Sequence, residues 1–284
     1  MSGPTDAARP ARARARTTGR TPGGLAYAVH GTGGAPVVLV AGAGGGGRVW
    51  EHHQVPALTA AGRRVVTFDH PAGEPGPAGI ARAVRDLMTA LALPPCPLVG
   101  HSLGSLAVQE LLLTDPHLAS GALLAATRGR PDPVGRAMAR AEAGLAASGT
   151  RLPPAYEAFV RLGQNLSPRT LADEGAVEEW LDLFEIAALT GESAISVPTG
   201  PERDRLADYA RITAPVLVVG FADDQLVPAP LGREVAEAIP GARWTALPDT
   251  GHLGFLERPA AFNTLLLDFL ATLAPTDPGA ARVH

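Results

Sequence analysis

Gly100-His101-Ser102-Leu103-Gly104 places a serine between two glycines, where the apolar run PLVG meets the helical run LGSLAVQELLLT. A serine hydroxyl is a weak nucleophile. It becomes a strong one when a sharp strand-to-helix turn projects it, with small neighbours and the free N–H groups of a helix start beside developing negative charge. It also needs a base, and the base needs an orienting acid. Downstream, VLVVGFADDQLVP sets Asp223 and Asp224 just past an apolar run, and LPDTGHLGFLERP sets His252 in a loop after another. The chain order is serine, aspartate, histidine.

A second pattern competes for attention. VVLVAGAGGGGRVW contains G-x-G-x-x-G at Gly42, Gly44 and Gly47, and Asp69 ends the next apolar run, VVTFD. That is the outline of a dinucleotide-binding fingerprint, and it would make the protein a nicotinamide oxidoreductase. This reading leaves Ser102, His252 and the aspartates without a joint purpose.

The elements that must carry these residues can be read from periodicity. LAYAVHG (25–31) alternates like an edge strand, and APVVLVAG (35–42), RVVTFD (64–69), PLVG (97–100), GALLAAT (121–127), APVLVVGF (214–221) and ARWTALP (242–248) read as strands. Helical spacing covers 48–62, 80–93, 103–114, 232–239 and 258–273. Strands alternating with helices predict a mostly parallel central sheet flanked by helices. The span 130–211 holds no strand pattern. It reads as helices at 133–148, 154–164, 168–172 and 175–189, an inserted helical lid over the strand ends where open sheets bind ligands. The expected organisation is a disordered basic tail at 1–22, a core at 23–129 and 212–274, the lid at 130–211 and a loose tail at 275–284.

Composition narrows the function. The chain has 284 residues and a formal net charge of −4, with no lysine at all, so nothing draws it generally to nucleic acid or membrane. Cys96 is the single cysteine, which excludes an intramolecular disulfide and a cysteine-built zinc cluster. No run is long enough to span a membrane and the basic start has no apolar signal core. The expectation is a cytoplasmic monomer or homodimer needing neither metal nor cofactor.

The strands VVLVAG, RVVTFDHPAG and LVGHSLG, the D-x-x-x-P of DQLVP and the loop GHLGFLERP resemble the α/β-hydrolase fold superfamily across residues 25–273. The likeness is to its lid-bearing branch of small-molecule esterases, C–C hydrolases and cofactor-free haloperoxidases. The resemblance implies that Ser102 is the nucleophile, His252 the base and Asp224, four residues before Pro228, the orienting acid. It implies an oxyanion hole from the amides of Ala43 and Leu103, so the glycine run becomes an oxyanion loop and Asp69 an ordinary strand-end residue. Ala41 stands where the family carries a loop-bracing histidine. Phe159, Trp180, Phe184 and Phe255 are candidates to line an apolar pocket, and Arg48 to meet an acidic group beside the glycine loop. His101 is expected to pack or hydrogen-bond. The implied activity is hydrolysis of an ester or thioester of a mostly apolar small molecule, including a natural-product tailoring or cyclising step. The alternatives are C–C hydrolysis or perhydrolysis on the same residues, or a catalytically idle ligand-binding protein.

Overall fold

The computed structural model describes residues 16–71, 73, 76–190 and 203–273. Eight strands form one sheet: β1 (Arg16–Arg20), β2 (Ala26–His30), β3 (Pro36–Val40), β4 (Arg64–Phe68), β5 (Cys96–His101), β6 (Ala119–Ala125), β7 (Val216–Phe221) and β8 (Arg243–Leu247). Their order is β1-β2-β4-β3-β5-β6-β7-β8; β1 and β2 run antiparallel to their neighbours, and all later pairs are parallel. The expected mostly parallel sheet flanked by helices is thus present.

The continuous apolar runs make sense against this sheet. Successive side chains point to opposite faces. Val38, Val40, Val66, Leu98, Leu124 and Val218 pack into one core, under α2 (Pro77–Ala90) and α3 (Leu103–Thr114). Val37, Leu39, Val65, Val99, Leu123 and Val219 pack into a second with Trp50 and four phenylalanines from the C-terminal third, Phe221, Phe255, Phe262 and Phe269. Both faces are buried, so no polar alternation is left to see.

Two N-terminal expectations are corrected. The tail does not extend to residue 22, because Arg16–Arg20 pairs with β2 in register Arg16↔His30 to Arg20↔Ala26. RTTGR has no apolar stripe because it lies largely exposed at the sheet's edge. LAYAVHG is therefore not the edge strand, since β1 covers it on one side and β4 on the other. The expected helix over 48–62 is broken into a 3-10 turn at Gly47–Trp50 and α1 (Gln54–Ala60), with Pro56 held in the first turn of α1 where its missing N–H costs nothing.

Between β6 and β7 lie α4 (Pro133–Ser148), α5 (Pro154–Asn165), α6 (Pro168–Leu171) and α7 (Glu174–Thr190), close to the expected bounds. Proline in the first turn starts α4, α5 and α6. The Asp132 side chain caps α4 and Gly149, at φ 66°, ends it. Ala158, Leu162, Leu166 and Phe184 form a small core between α5 and α7 that also packs on Leu253. After β7 come α8 (Ala229–Ala238), α9 (Gly254–Glu257) and α10 (Pro259–Thr272). Residues 191–202 and 274–284, and with them part of the lid and the C-terminal tail read from the sequence, lie outside the described residues.

Candidate active site

Ser102 sits between β5 and α3 at φ 51°, ψ −119°, a strained conformation for a residue with a Cβ. The flanking glycines are required by packing. A Cβ on Gly100 would stand 2.6 Å from the carbonyl of Gly104 and the Cα of Ser105, and one on Gly104 would enter the carbonyls of Val40 and Ala41. The elbow can therefore press α3 directly onto β3 and β5.

Sheet order then brings three strand ends together. His252, in the loop after β8, points Nε2 at Ser102 Oγ across 3.0 Å. Its Nδ1 lies 2.8 Å from Asp224 Oδ2. A carboxylate can only accept, so Nδ1 carries the proton and Nε2 is left as the acceptor for the serine hydroxyl. Asp224 Oδ1 accepts from the amides of Leu226 and Val227, both at 2.9 Å, which locks the carboxylate in its turn. Asp223 is not in this line; its amide donates to the Thr250 carbonyl, and the carboxylate bonded to His252 is that of Asp224.

Leu103 begins α3, so its N–H has no carbonyl within the helix to bond. Neither it nor the Ala43 amide meets a protein acceptor among the described residues. Ala43 lines the cavity over Ser102. Gly42 approaches so closely that a Cβ there would lie 2.8 Å from His101 Nδ1 and 3.2 Å from Ser102 Cβ. The glycine run is thus folded against the serine. Asp69 is more than a strand-end residue: its Oδ1 accepts from the Gly47 amide at 3.1 Å, and a Cβ on Gly46 would enter that carboxylate. The family's missing brace is supplied from the next strand end, where His70 Nε2 donates to the Ala41 carbonyl at 3.1 Å.

His101 is fully buried and donates Nε2–H to the His252 carbonyl at 2.9 Å. Burial pulls its pKa down to about 3, with the neighbouring His252 ring acting in the same direction. It is a neutral strut beneath the histidine loop.

A buried chain of hydrogen bonds also ends at Ser102. Tyr209 O–H donates to Gln109 Oε1 at 2.6 Å, and Gln109 Nε2 donates to Thr127 Oγ1 at 2.7 Å. Ser105 Oγ lies 2.7 Å from Thr127 Oγ1 and 2.5 Å from the Ser102 carbonyl. That carbonyl can only accept, so the one proton of Ser105 goes to it and Thr127 donates to Ser105. The Ser105 and Leu106 amides reach the same oxygen. Sequence reasoning missed this chain; the polar positions Ser105 and Gln109 inside an otherwise apolar helix were its only signal.

The cavity above Ser102 measures about 280 Å³. Trp180, Phe184 and Phe255 line it, as expected, together with Leu183 and Met138. Phe159 does not: it is 66% exposed on the outer face of α5. Arg48 is exposed on the far side of the glycine loop and does not reach the cavity either. Two other arginines, Arg128 and Arg161, do line it.

A model of the alpha/beta hydrolase family matches residues 37–265, which include every residue of this site. The chain belongs to the alpha/beta hydrolase family. Among its relatives in this family is a Mycobacterium tuberculosis protein named for non-heme bromoperoxidase, BpoC, 45% identical over 258 residues that make up 88% of this chain and 98% of the relative. A crystal structure of BpoC superposes with a TM-score of 0.82 at 44% identity, over 88% of this chain and 96% of that one. A Variovorax paradoxus protein named for carbamate hydrolysis, RutD, is 32% identical over 88% of this chain and 97% of its own length. This alpha/beta hydrolase thus stands near the non-heme haloperoxidase-like branch.

Proposed function

We propose that the protein is a serine hydrolase that cleaves an ester or thioester of a small, mostly apolar molecule through an acyl-serine. The observation that carries this reading is the unbroken line from Ser102 Oγ to His252 Nε2 at 3.0 Å and from His252 Nδ1 to Asp224 at 2.8 Å, opening into a cavity. Ser102 attacks the carbonyl carbon while His252 takes its proton, and Asp224 stabilises the imidazolium. The developing oxyanion sits on the amides of Ala43 and Leu103. His252 returns the proton to the leaving alcohol or thiol, then activates water to release the acid and regenerate Ser102.

The relative named for a bromoperoxidase favours a second reading on the same residues. Hydrogen peroxide in place of water would resolve the acyl-serine to a peracid and free serine. The two readings share every step up to the acyl-serine.

The test is labelling with a fluorophosphonate probe, with Ser102→Ala alongside, coupled to turnover of p-nitrophenyl esters with and without peroxide. Labelling and turnover should both disappear in the variant. A well-folded protein that neither labels nor turns over any ester would sink the hydrolase reading in favour of an idle, ligand-binding member of the fold.

A further inference from the structure

Among the described residues the cavity lining is mostly apolar; besides the polar His101, Ser102, Asn165 and His252 it carries two permanent charges, Arg128 and Arg161, and no aspartate or glutamate. The carboxylates that accompany these arginines are not among the lining residues. Arg128 Nη1 donates to Asp132 Oδ2 at 2.8 Å, and Arg161 pairs with Glu157 at 3.4 Å, with Glu142 also acting on it electrostatically. Asn165, one turn beyond Arg161 on α5, also lines the cavity.

The Arg128 site is built. The residue is 5% exposed, and its Nε is buried with no hydrogen-bond acceptor among the described residues. Its partner is fixed independently, because Asp132 uses its other oxygen to accept the Gly135 amide at 2.9 Å and cap α4. A Cβ on Gly135 would lie 2.5 Å from Arg128 Nη1, so the helix start carries glycine where the guanidinium needs the room. Burial also holds the Arg161 guanidinium below its usual range.

A buried ion pair rarely outdoes apolar packing in stability. Placing such a buried pair, Arg128 with Asp132, and a second, partly buried arginine in the wall of a ligand cavity whose lining holds no carboxylate among the described residues points to a ligand. Arg128 uses only Nη1 on Asp132 and its Nε has no acceptor among the described residues, and a guanidinium is a planar fork of donors that fits a carboxylate.

We propose that Arg128 and Arg161 receive a carboxylate on the substrate, remote from the scissile carbonyl, so that the preferred substrates are acidic esters such as half-esters of dicarboxylic acids. This rests on the reading of Ser102 as the nucleophile. It refines the apolar substrate expected from the lining: an apolar body with one anionic end.

The experiment compares mono-p-nitrophenyl adipate with p-nitrophenyl hexanoate, which differ by a carboxylate in place of a terminal methyl. The wild type should prefer the adipate in kcat/KM by at least about tenfold, chiefly through KM. In Arg161→Met the ratio should fall toward one. Arg128→Met strands Asp132, so it is read together with Arg128→Met/Asp132→Asn, where the ratio should also collapse. Calorimetric titration of adipate into Ser102→Ala, with and without Arg161→Met, reports the site without turnover. Ester turnover with no carboxylate preference, or a preference that survives both sets of variants, overturns the proposal and leaves the hydrolase reading standing. Adipate binding that Arg161→Met abolishes, in a protein that turns over no ester, does the reverse.

Discussion

At the scale of single residues, the Ser102 carbonyl and the Leu103 N–H belong to one peptide group. Three donors on that carbonyl, the Ser105 hydroxyl at 2.5 Å among them, polarise the peptide, and in the proposed mechanism this makes its N–H a better oxyanion donor. They also hold the strained elbow. Ser105→Ala should lower kcat on the order of tenfold with KM little changed, less than the roughly 10²–10³ lost with a direct oxyanion donor. Ser105→Thr should restore most of it. A change confined to KM would sink this role. His101 makes a second prediction. Its folded pKa of about 3 lies below the unfolded value of 6.5. Above pH 6.5 the ring is neutral in both states and contributes no slope. As pH falls from there toward 3, the unfolded chain takes up a proton that the buried ring refuses, so stability drops by up to about 1.4 kcal/mol per pH unit. Urea unfolding from pH 8 to pH 4.5 should show a shallower acid slope for His101→Gln; equal slopes would remove the prediction.

At the scale of elements, the helical insertion is fastened to the histidine loop. Glu257, in α9, accepts from the Ser167 amide and hydroxyl through one oxygen, both at 2.8 Å, and from the Gly251 amide through the other, at 2.6 Å. The Leu253 amide donates to the Asn165 carbonyl, and a Cβ on Gly251 would lie 2.5 Å from that oxygen. The α5–α6 junction thus rests on the residues either side of His252. In Glu257→Gln one amide loses its acceptor and faces an NH2 group. The cost should be about 1–3 kcal/mol, read as a lower midpoint in denaturant and faster hydrogen exchange at Ser167 and Gly251. Unchanged exchange at both amides would show that the clasp does not hold the insertion. Glycine and glutamate in GHLGFLERP were legible as a pattern, but their reason is this junction, which arrives from 90 residues away in sequence.

At the scale of the whole molecule, β1 closes an edge that β2 would otherwise offer to other chains. Its only ion pair to the body among the described residues is Arg16 with Glu51. Removing residues 1–20 should raise light scattering and lower the thermal midpoint, while any turnover per folded molecule found for the intact protein persists, since β1 lies at the far edge from β5. An unchanged midpoint with no scattering would show that the edge needs no cover. β1 escaped sequence reasoning because an exposed edge strand has no buried face to impose alternation, and because the arginine-rich stretch before it masked the boundary.

Local chemistry was enough for much of this protein. Apolar runs and helical spacing marked the strands and helices, because each signal acts within one or two turns of its own residue. Local order set out Ser102, the two aspartates and His252, and the resemblance to the α/β-hydrolase family, through the spacing to Pro228, singled out Asp224. Tertiary structure decided the rest. It placed Phe159 outside the cavity, put Arg128 and Arg161 rather than Arg48 in its lining, and joined His101 to the His252 carbonyl and Tyr209, through Gln109, Thr127 and Ser105, to the Ser102 turn. These pairings depend on which strand lies beside which, and sheet order is set by packing across the whole chain rather than by any stretch of it.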